Sequence, residues 1–167
     1  AKTTLKRGTD VETKTGSIVL DGNDIKADNV NGLTYKGFGM LSGNSTSDLL
    51  LDYKTQNPVK YAELMQYLFG GEYPIFTHVK LEMGNDRNNS TGPESATMRT
   101  KGESANVMRN PGWQIAADAK KINPKVKVSI LSWNTPTWVT TTEEKYYWYK
   151  QSILAAYEKY GFMVDYI

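Results

Sequence analysis

Short apolar stretches with turn-forming flanks recur along the chain at residues 35–41, 76–82, 126–131 and 162–167. Each has the length of a β-strand, and glycine, proline or small polar residues lie near its ends. We therefore predict a strand at each of these positions.

Between these stretches, apolar residues recur at helical spacing. Predicted helices begin at Pro58, at Pro111 and near Glu143, and the first two start on a proline, which the first turn of a helix accepts. In the first helix, positions i, i+3, i+4 and i+7 are Tyr61, Leu64, Met65 and Leu68. In the third, one broad apolar face consists of Tyr146, Tyr149, Ile153, Ala156, Tyr157 and Tyr160.

The alternation of strands and helices predicts an α/β fold with parallel strands and right-handed crossovers. Two architectures satisfy it: a doubly wound open sheet and part of a (β/α)8 barrel. A complete barrel takes roughly 250 residues, whereas residues 32–167 supply four predicted strands and three predicted helices. The last strand has no helix after it, although parallel strands need cover on both faces. We predict the truncated first half of a (β/α)8 TIM barrel at 32–167, preceded by a short β segment at 1–31.

Composition narrows the classes of partner. The net charge is +2 with both signs spread along the chain, so nucleic acid and anionic membrane surfaces are poor candidates. Apolar runs stay well short of the length of a transmembrane helix. Cysteine is absent, which removes thiolate nucleophiles, disulfides and cysteine-ligated metals. The polar start at Ala1 fits a mature protein after signal removal and fits a trimmed chain equally well.

The active sites of such barrels lie on the loops that follow the strands. The first of these segments, residues 37–43, superficially suggests a dinucleotide-binding glycine fingerprint, but its spacing is one residue too long. We expect its glycines to allow close approach between neighbouring strands instead.

The second segment follows the strand at 76–82. A long polar loop runs from there to about Asn110, and structureless loops of that length are usually functional. Asp86, Asn89, Ser90 and Glu94 are candidates to face a pocket, with solvated loop positions as the alternative.

The third segment, residues 131–138, contains two tryptophans. Trp133 suits sugar recognition, because the apolar face of a pyranose packs on an indole while nearby polar groups bind its hydroxyls; burial under the loop is the alternative. We expect Trp138 to be a packing residue. His78 is the only histidine and lies inside a predicted strand, so neither a metal site nor a serine–histidine pair is expected there.

Collinear segments of the chain resemble glycoside hydrolase family 59, the galactocerebrosidase-like family. They are residues 35–43, 46–50, 67–69, 80–86, 92–98, 119–124, 131–138 and 165–167. The resemblance implies a retaining β-galactosidase-type hydrolase on a (β/α)8 barrel, with residues 1–31 belonging to an adjoining β-sandwich. It implies a carbohydrate or glycolipid substrate, no cofactor or metal, and a secreted, periplasmic or lysosomal location.

The resemblance also assigns site residues. The galactose pocket of the family uses a hydroxyl residue at the position of Asn89 or Ser90, and the tryptophan at Trp133. The acid/base glutamate, in an Asn-Glu pair, and the nucleophile glutamate are expected beyond Ile167, so residues 1–167 alone should be inactive. Two positions depart from the family, because Asp48 replaces a basic residue and Arg87 begins a bulkier loop, so the sugar contacts can differ. The alternative is a non-catalytic carbohydrate-binding or nucleotide-binding α/β module.

Overall fold

A computed structural model describes residues 16–17, 35–43, 46–87 and 92–167. Residues 36–167 form one compact unit, and nearly all of the described residues belong to it. The predicted β segment at 1–31 lies almost wholly outside the described residues. That segment and the boundary after residue 31 therefore remain predictions.

Parallel strands form the centre of this unit. They are β1 (Phe38–Ser42), β2 (Phe76–Glu82) and β3 (Lys127–Leu131), and they pair in the order β1-β2-β3. Tyr166 continues the series through a parallel bridge to Ser129 of β3. Neighbours thus follow chain order, as in a (β/α)8 barrel, whereas a doubly wound sheet reverses direction at a switch point. Among the described strands, the topology favours the barrel.

Helices alternate with these strands. They are α1 (Asp48–Gln56), α2 (Pro58–Phe69), α3 (Pro111–Ile122) and α4 (Thr142–Tyr160), and a short 3-10 helix covers Val107–Arg109. The predicted starts at Pro58, Pro111 and near Glu143 are confirmed. Helix α1 was not predicted, because it buries no residue in the core and has no side-chain cap.

Capping side chains fix where the later helices begin and end. The side chain of Asn110 accepts a hydrogen bond from the backbone N of Gly112 at the start of α3. Thr141 and Glu144 form a reciprocal capping box at the start of α4, which satisfies two backbone donors. Gly161 ends α4 in the left-handed region, at φ +77°, a conformation that glycine adopts without strain.

The helices cover one face of the sheet. Val79 pairs with Val128, and Leu81 pairs with Ile130; all four side chains are at most 2 % exposed. The first turn of α3 lies directly on this face, since a Cβ added at Gly112 would be 2.9 Å from Leu81 Cβ. The largest side chains of the core are Trp113, Trp148, Phe69, Met65 and Leu81. Full burial of each is worth roughly 1.5–3 kcal/mol.

The opposite face of the sheet is more polar and is partly open in the described chain. Leu41 is 52 % exposed, and Lys80 and Lys127 are also exposed. In a (β/α)8 barrel the helices cover only the outer face of the sheet, and the inner face points to the other strands. The helix-covered face therefore corresponds to the outer layer of a barrel.

The strand predicted over residues 162–167 is wrong for most of its length. Within the described residues, Tyr166 alone of this segment forms a β-bridge with β3, and the segment's backbone hydrogen bonds to β3 come only from Asp165 and Tyr166. Asp165 Oδ2 accepts a hydrogen bond from the backbone N of Val128 at 2.9 Å. The side chain of Asp165 thus binds the backbone N–H of Val128, which would bind a backbone carbonyl if residues 162–167 formed a full strand.

The apolar face predicted for α4 is partly wrong. Tyr146 is 67 % exposed and Tyr157 is 55 % exposed. The buried residues of α4 are Trp148, Tyr149, Ser152 and Ala156. The buried face is rotated because Trp148 and Ser152 both hydrogen-bond to the hydroxyl of Thr97, in the loop after β2. None of the helices in the described ranges has the length and apolar character needed to cross a bilayer.

Candidate functional site

The carboxyl ends of the three strands meet at one edge of the sheet. The segments there are Gly43 after β1, residues 83–87 after β2 and residues 132–134 after β3. Because the strands are parallel neighbours, the segments that follow them converge on this edge. In (β/α)8 barrels this edge forms the mouth of the active site.

Gly43 and Glu82 are in close contact at this edge. A Cβ added at Gly43 would lie 2.8 Å from Glu82 Oε2, and Glu82 is only 5 % exposed. At Gly39, likewise, a Cβ would lie 2.9 Å from the carbonyl O of His78. The expectation that these glycines serve close approach is confirmed. A buried carboxyl group against Gly43 is also a poor neighbour for a phosphate, which argues against nucleotide binding at this turn.

The described parts of the loop after β2, residues 83–87 and 92–110, are tied together by hydrogen bonds between residues that are far apart along the loop. Asn110 Nδ2 donates to the carbonyl O of Glu82 at 2.9 Å and to that of Ser95 at 3.2 Å. Arg109 donates to the carbonyl O of Ala96 at 3.1 Å. Asn110 is fully buried and also caps α3. One side chain therefore joins the end of β2, the middle of the loop and the start of the next helix.

An ion pair holds the first turn of this loop. Arg99 donates from Nε to Asp86 Oδ2 at 3.0 Å and from Nη2 to Oδ1 at 2.8 Å. These hydrogen bonds lower the pKa of Asp86 below its usual value. Asp86 has a φ of +62°, which is uncommon for a residue with a side chain, and its backbone N donates to the carbonyl O of Glu94 at 3.0 Å.

A second ion pair supports the same loop. Arg109 donates to Glu103, and the backbone N of Arg99 also donates to that carboxylate. The hydrogen bond from Arg109 is the main reason that the pKa of Glu103 falls to about 2. The cluster of Asp86, Arg99, Glu103 and Arg109 therefore holds two negative and two positive charges.

The loop after β3, residues 132–141, presents one tryptophan and buries much of the other. Trp133 is 66 % exposed, so it is not a core residue in the described part of the chain. Trp138 packs against the core, and its Nε1 donates to the carbonyl O of Met98 at 3.0 Å. The expectation that Trp138 is a packing residue is confirmed.

A cleft lies between these two loops. It has a volume of about 580 Å³, within the range of small-molecule sites. Its lining residues are Asn85, Asp86, Arg87, Arg99, Pro136 and Thr137. A cleft of about 650 Å³ lies elsewhere, between residues 103–109 and the second half of α4, and no strand-end residue lines it.

A side-chain hydrogen bond joins His78 of β2 to Ser129 of β3. His78 Nε2 lies 2.8 Å from Ser129 Oγ, and the imidazole contacts the ring of Tyr166. Burial is the main cause that lowers the pKa of His78. Both residues lie inside their strands, below the mouth, so we assign the pair to strand association rather than catalysis.

Residues 35–167 match the model of glycosyl hydrolase family 59. The chain belongs to this family. The galactocerebrosidase of Danio rerio is 36 % identical over 110 residues, which cover 65 % of this chain and 16 % of that protein. The galactocerebrosidase of Homo sapiens is 32 % identical over 127 residues, covering 74 % and 17 %. The chain thus spans about one sixth of the length of these relatives.

A solved structure of an endo-β1,6-glucanase shares the fold. Its TM-score is 0.57 at 18 % identity, and the match covers 77 % of this chain and 32 % of that one. At that identity the likeness concerns the fold alone. With the chain-order parallel sheet, it shows that this family 59 chain folds as part of a (β/α)8 barrel.

The site residues predicted for this family 59 chain fall into three groups, one of which is Glu94 alone, a candidate that is buried at 1 % exposed. Trp133 and Asp86 are described, and both lie on strand-end loops at the mouth; their contact with substrate stays a prediction. Asn89 and Ser90 lie outside the described residues. Sequence reasoning missed Arg99 and Asn110, because each acts through a partner that is distant along the chain. The Asn-Pro start of α3 was the one available signal for Asn110.

Proposed function

We propose that the polypeptide containing this chain is a retaining glycoside hydrolase that cleaves a β-linked galactoside of a glycan or glycolipid. The observation that carries the proposal is the family 59 match over residues 35–167. The choice of a galactoside as substrate rests on the relatives that are named galactocerebrosidase. We expect the protein to be secreted, periplasmic or lysosomal.

The described residues are suited to holding the sugar rather than to cleaving its bond. Retention needs an acid and a nucleophile with carboxyl groups about 5–5.5 Å apart on either side of that bond. Glu82 and Glu94 are at most 5 % exposed, and both oxygens of Asp86 are bound by Arg99. All three acids come from one strand end and its loop. We therefore expect the catalytic pair from strands outside residues 1–167.

Trp133 is the residue on which we expect the galactose ring to lie. Its indole is exposed on a loop that follows a barrel strand, and apolar sugar faces pack on such rings. Hydroxyl or amide groups at Asn89 or Ser90 would bind the sugar hydroxyls. In this arrangement the loops after β2 and β3 bind the sugar, and residues that follow later strands carry out the chemical reaction.

The direct test uses the polypeptide encoded by the complete reading frame that contains residues 1–167. We expect it to hydrolyse an aryl β-galactoside and a β-galactosyl lipid, with the matched α-galactoside as control. Proton NMR should detect β-galactose as the first product, because two displacements preserve the anomeric configuration. First release of α-galactose would exclude retention. Sugar binding without hydrolysis would support the non-catalytic binding module instead.

A further inference from the structure

We propose that the cleft between the loops after β2 and β3 binds an acidic substituent, a sulfate or a carboxylate, that the substrate carries, and that Arg87 is its contact. The inference rests on the proposed function and narrows its substrate to an acidic β-galactoside. No residue of this cleft needs a catalytic role for the proposal to hold.

The cleft lies between the two loops that carry the predicted sugar contacts. One wall comes from the loop after β2, with Asp86, Arg87 and Arg99, and the other comes from Pro136 and Thr137 of the loop after β3. The second of these loops also carries the exposed Trp133, three residues before Pro136. A volume of about 580 Å³ accommodates a charged group together with part of a sugar ring.

The charges of the lining leave one positive charge without compensation. Asp86 is neutralised by Arg99 through two hydrogen bonds, and Arg109 neutralises Glu103 next to them. Arg87 forms no ion pair with any described residue. The adjoining residues 88–91 contain no acid. The cleft therefore has a net positive charge, which attracts an anion.

The backbone that leads into Arg87 is held by hydrogen bonds within the described residues. The backbone N of Arg87 donates to Asn85 Oδ1 at 3.0 Å, and the preceding residue, Asp86, is held in its left-handed conformation by Arg99 and Glu94. Less loop ordering is then required on binding, and preorganisation of this kind favours affinity. Guanidinium is also the side-chain group whose fork of donors matches sulfate and carboxylate oxygens.

The experiment compares three β-galactosyl disaccharides that differ in one substituent: neutral, sulfated and uronate-bearing. The complete polypeptide is assayed as wild type, Arg87→Gln, Arg87→Lys and Lys125→Gln. Lys125→Gln is the matched control, because it removes the same charge from an exposed site just before β3, at the opposite end of the strands. We expect Arg87→Gln to lower the acidic-to-neutral ratio of kcat/KM about tenfold, as for loss of one charge-assisted hydrogen bond. Arg87→Lys should restore part of the ratio, and Lys125→Gln should leave it unchanged.

The outcomes separate this inference from the proposed function. A larger effect with the sulfated sugar identifies sulfate, and a larger effect with the uronate identifies carboxylate. If neutral galactoside is cleaved but Arg87→Gln changes the ratio no more than Lys125→Gln, the cleft proposal is wrong and the proposed function stands. If no galactoside is cleaved, the proposed function fails. Calorimetry with the same sugars then measures directly whether the cleft binds the acidic substituent. Binding of the acidic sugars that weakens in Arg87→Gln supports the proposal, and equal binding by both proteins overturns it.

Discussion

The loops that follow β2 and β3 reach the same edge of the sheet but are held in different ways. The loop after β2 is long and is fixed by buried and half-buried polar side chains, with Asn110 at its base and the Asp86–Arg99 pair near its tip. The loop after β3 is short and is fixed by two turn hydrogen bonds, from Val139 N to the carbonyl O of Pro136 and from the Thr135 hydroxyl to the carbonyl O of Val139, and by Trp138. The first loop thus provides a rigid polar wall, and the second presents the exposed indole of Trp133. A sugar-binding edge needs both kinds of surface.

If this contrast is correct, removal of the polar anchor should be the most damaging single change. We expect Asn110→Ala to lower the free energy of unfolding by about 2–4 kcal/mol, because it removes a helix cap and leaves one buried and one part-buried carbonyl group without this donor. The matched control is Asn123→Ala, whose amide accepts one hydrogen bond, from Lys125 N, at a partly exposed site. Urea unfolding of the complete polypeptide measures both. Equal losses in the two variants would show that Asn110 is not the anchor.

At Trp133 we expect a loss of function rather than of stability. Trp133→Ala should reduce kcat/KM for a β-galactoside by an amount equivalent to about 1–3 kcal/mol, since one large aromatic contact with the sugar is removed. Its midpoint in urea should match wild type, because the indole is 66 % exposed. An unfolded variant, or an unchanged kcat/KM, would instead make Trp133 a packing residue.

Trp138 should show the reverse behaviour. Trp138→Phe retains most of the packing but removes the hydrogen bond to Met98, so the free energy of unfolding should fall by about 1 kcal/mol. Urea unfolding again provides the measurement. The contrast between the two tryptophans would be broken if Trp138→Phe reduced galactoside affinity as much as Trp133→Ala does.

The smallest expected effect is the pH dependence contributed by Asp86. Arg99 lowers its pKa in the folded state, so the pair stabilises the fold above the unfolded pKa of about 3.9 and the contribution is lost as pH falls through the folded value. Because the pair is partly exposed, the contribution should be about 1 kcal/mol or less. Between pH 3 and 6, the free energy of unfolding should depend less strongly on pH in Asp86→Asn than in wild type, as measured by urea unfolding at each pH. A variant that keeps the full wild-type slope would assign that slope to other acids.

The sequence predicted the elements whose residues have a clear local pattern. Strand β2 has its predicted bounds, and Pro58 and Pro111 mark the first residues of α2 and α3, because strand length and proline placement are local properties. Helix α1 was missed since it buries no core residue. Tyr146 was wrongly assigned to the buried face of α4. The buried face is set by contacts with Thr97, and the position of Thr97 depends on the fold of a loop that is distant along the chain.

The candidate site shows the same limit. Trp133 could be proposed because a tryptophan after a strand end is visible in the sequence, and the structure gives it an exposed indole. The Asp86–Arg99 pair could not, because the two residues lie thirteen positions apart on two arms of one loop. Sequence reasoning could therefore nominate the residues that face the mouth more readily than those that hold them in place.

The central claim, that a sugar binds against Trp133 at the carboxyl ends of the strands, is tested most directly by tryptophan fluorescence. Residues 1–167 contain four tryptophans; Trp113 and Trp148 are fully buried, and Trp138 is partly buried. Galactose added to the complete, catalytically competent polypeptide should change the emission, and this change should persist in Trp138→Phe and be lost in Trp133→Phe. A galactose-dependent change that remains undiminished in Trp133→Phe would contradict binding of the sugar against this indole.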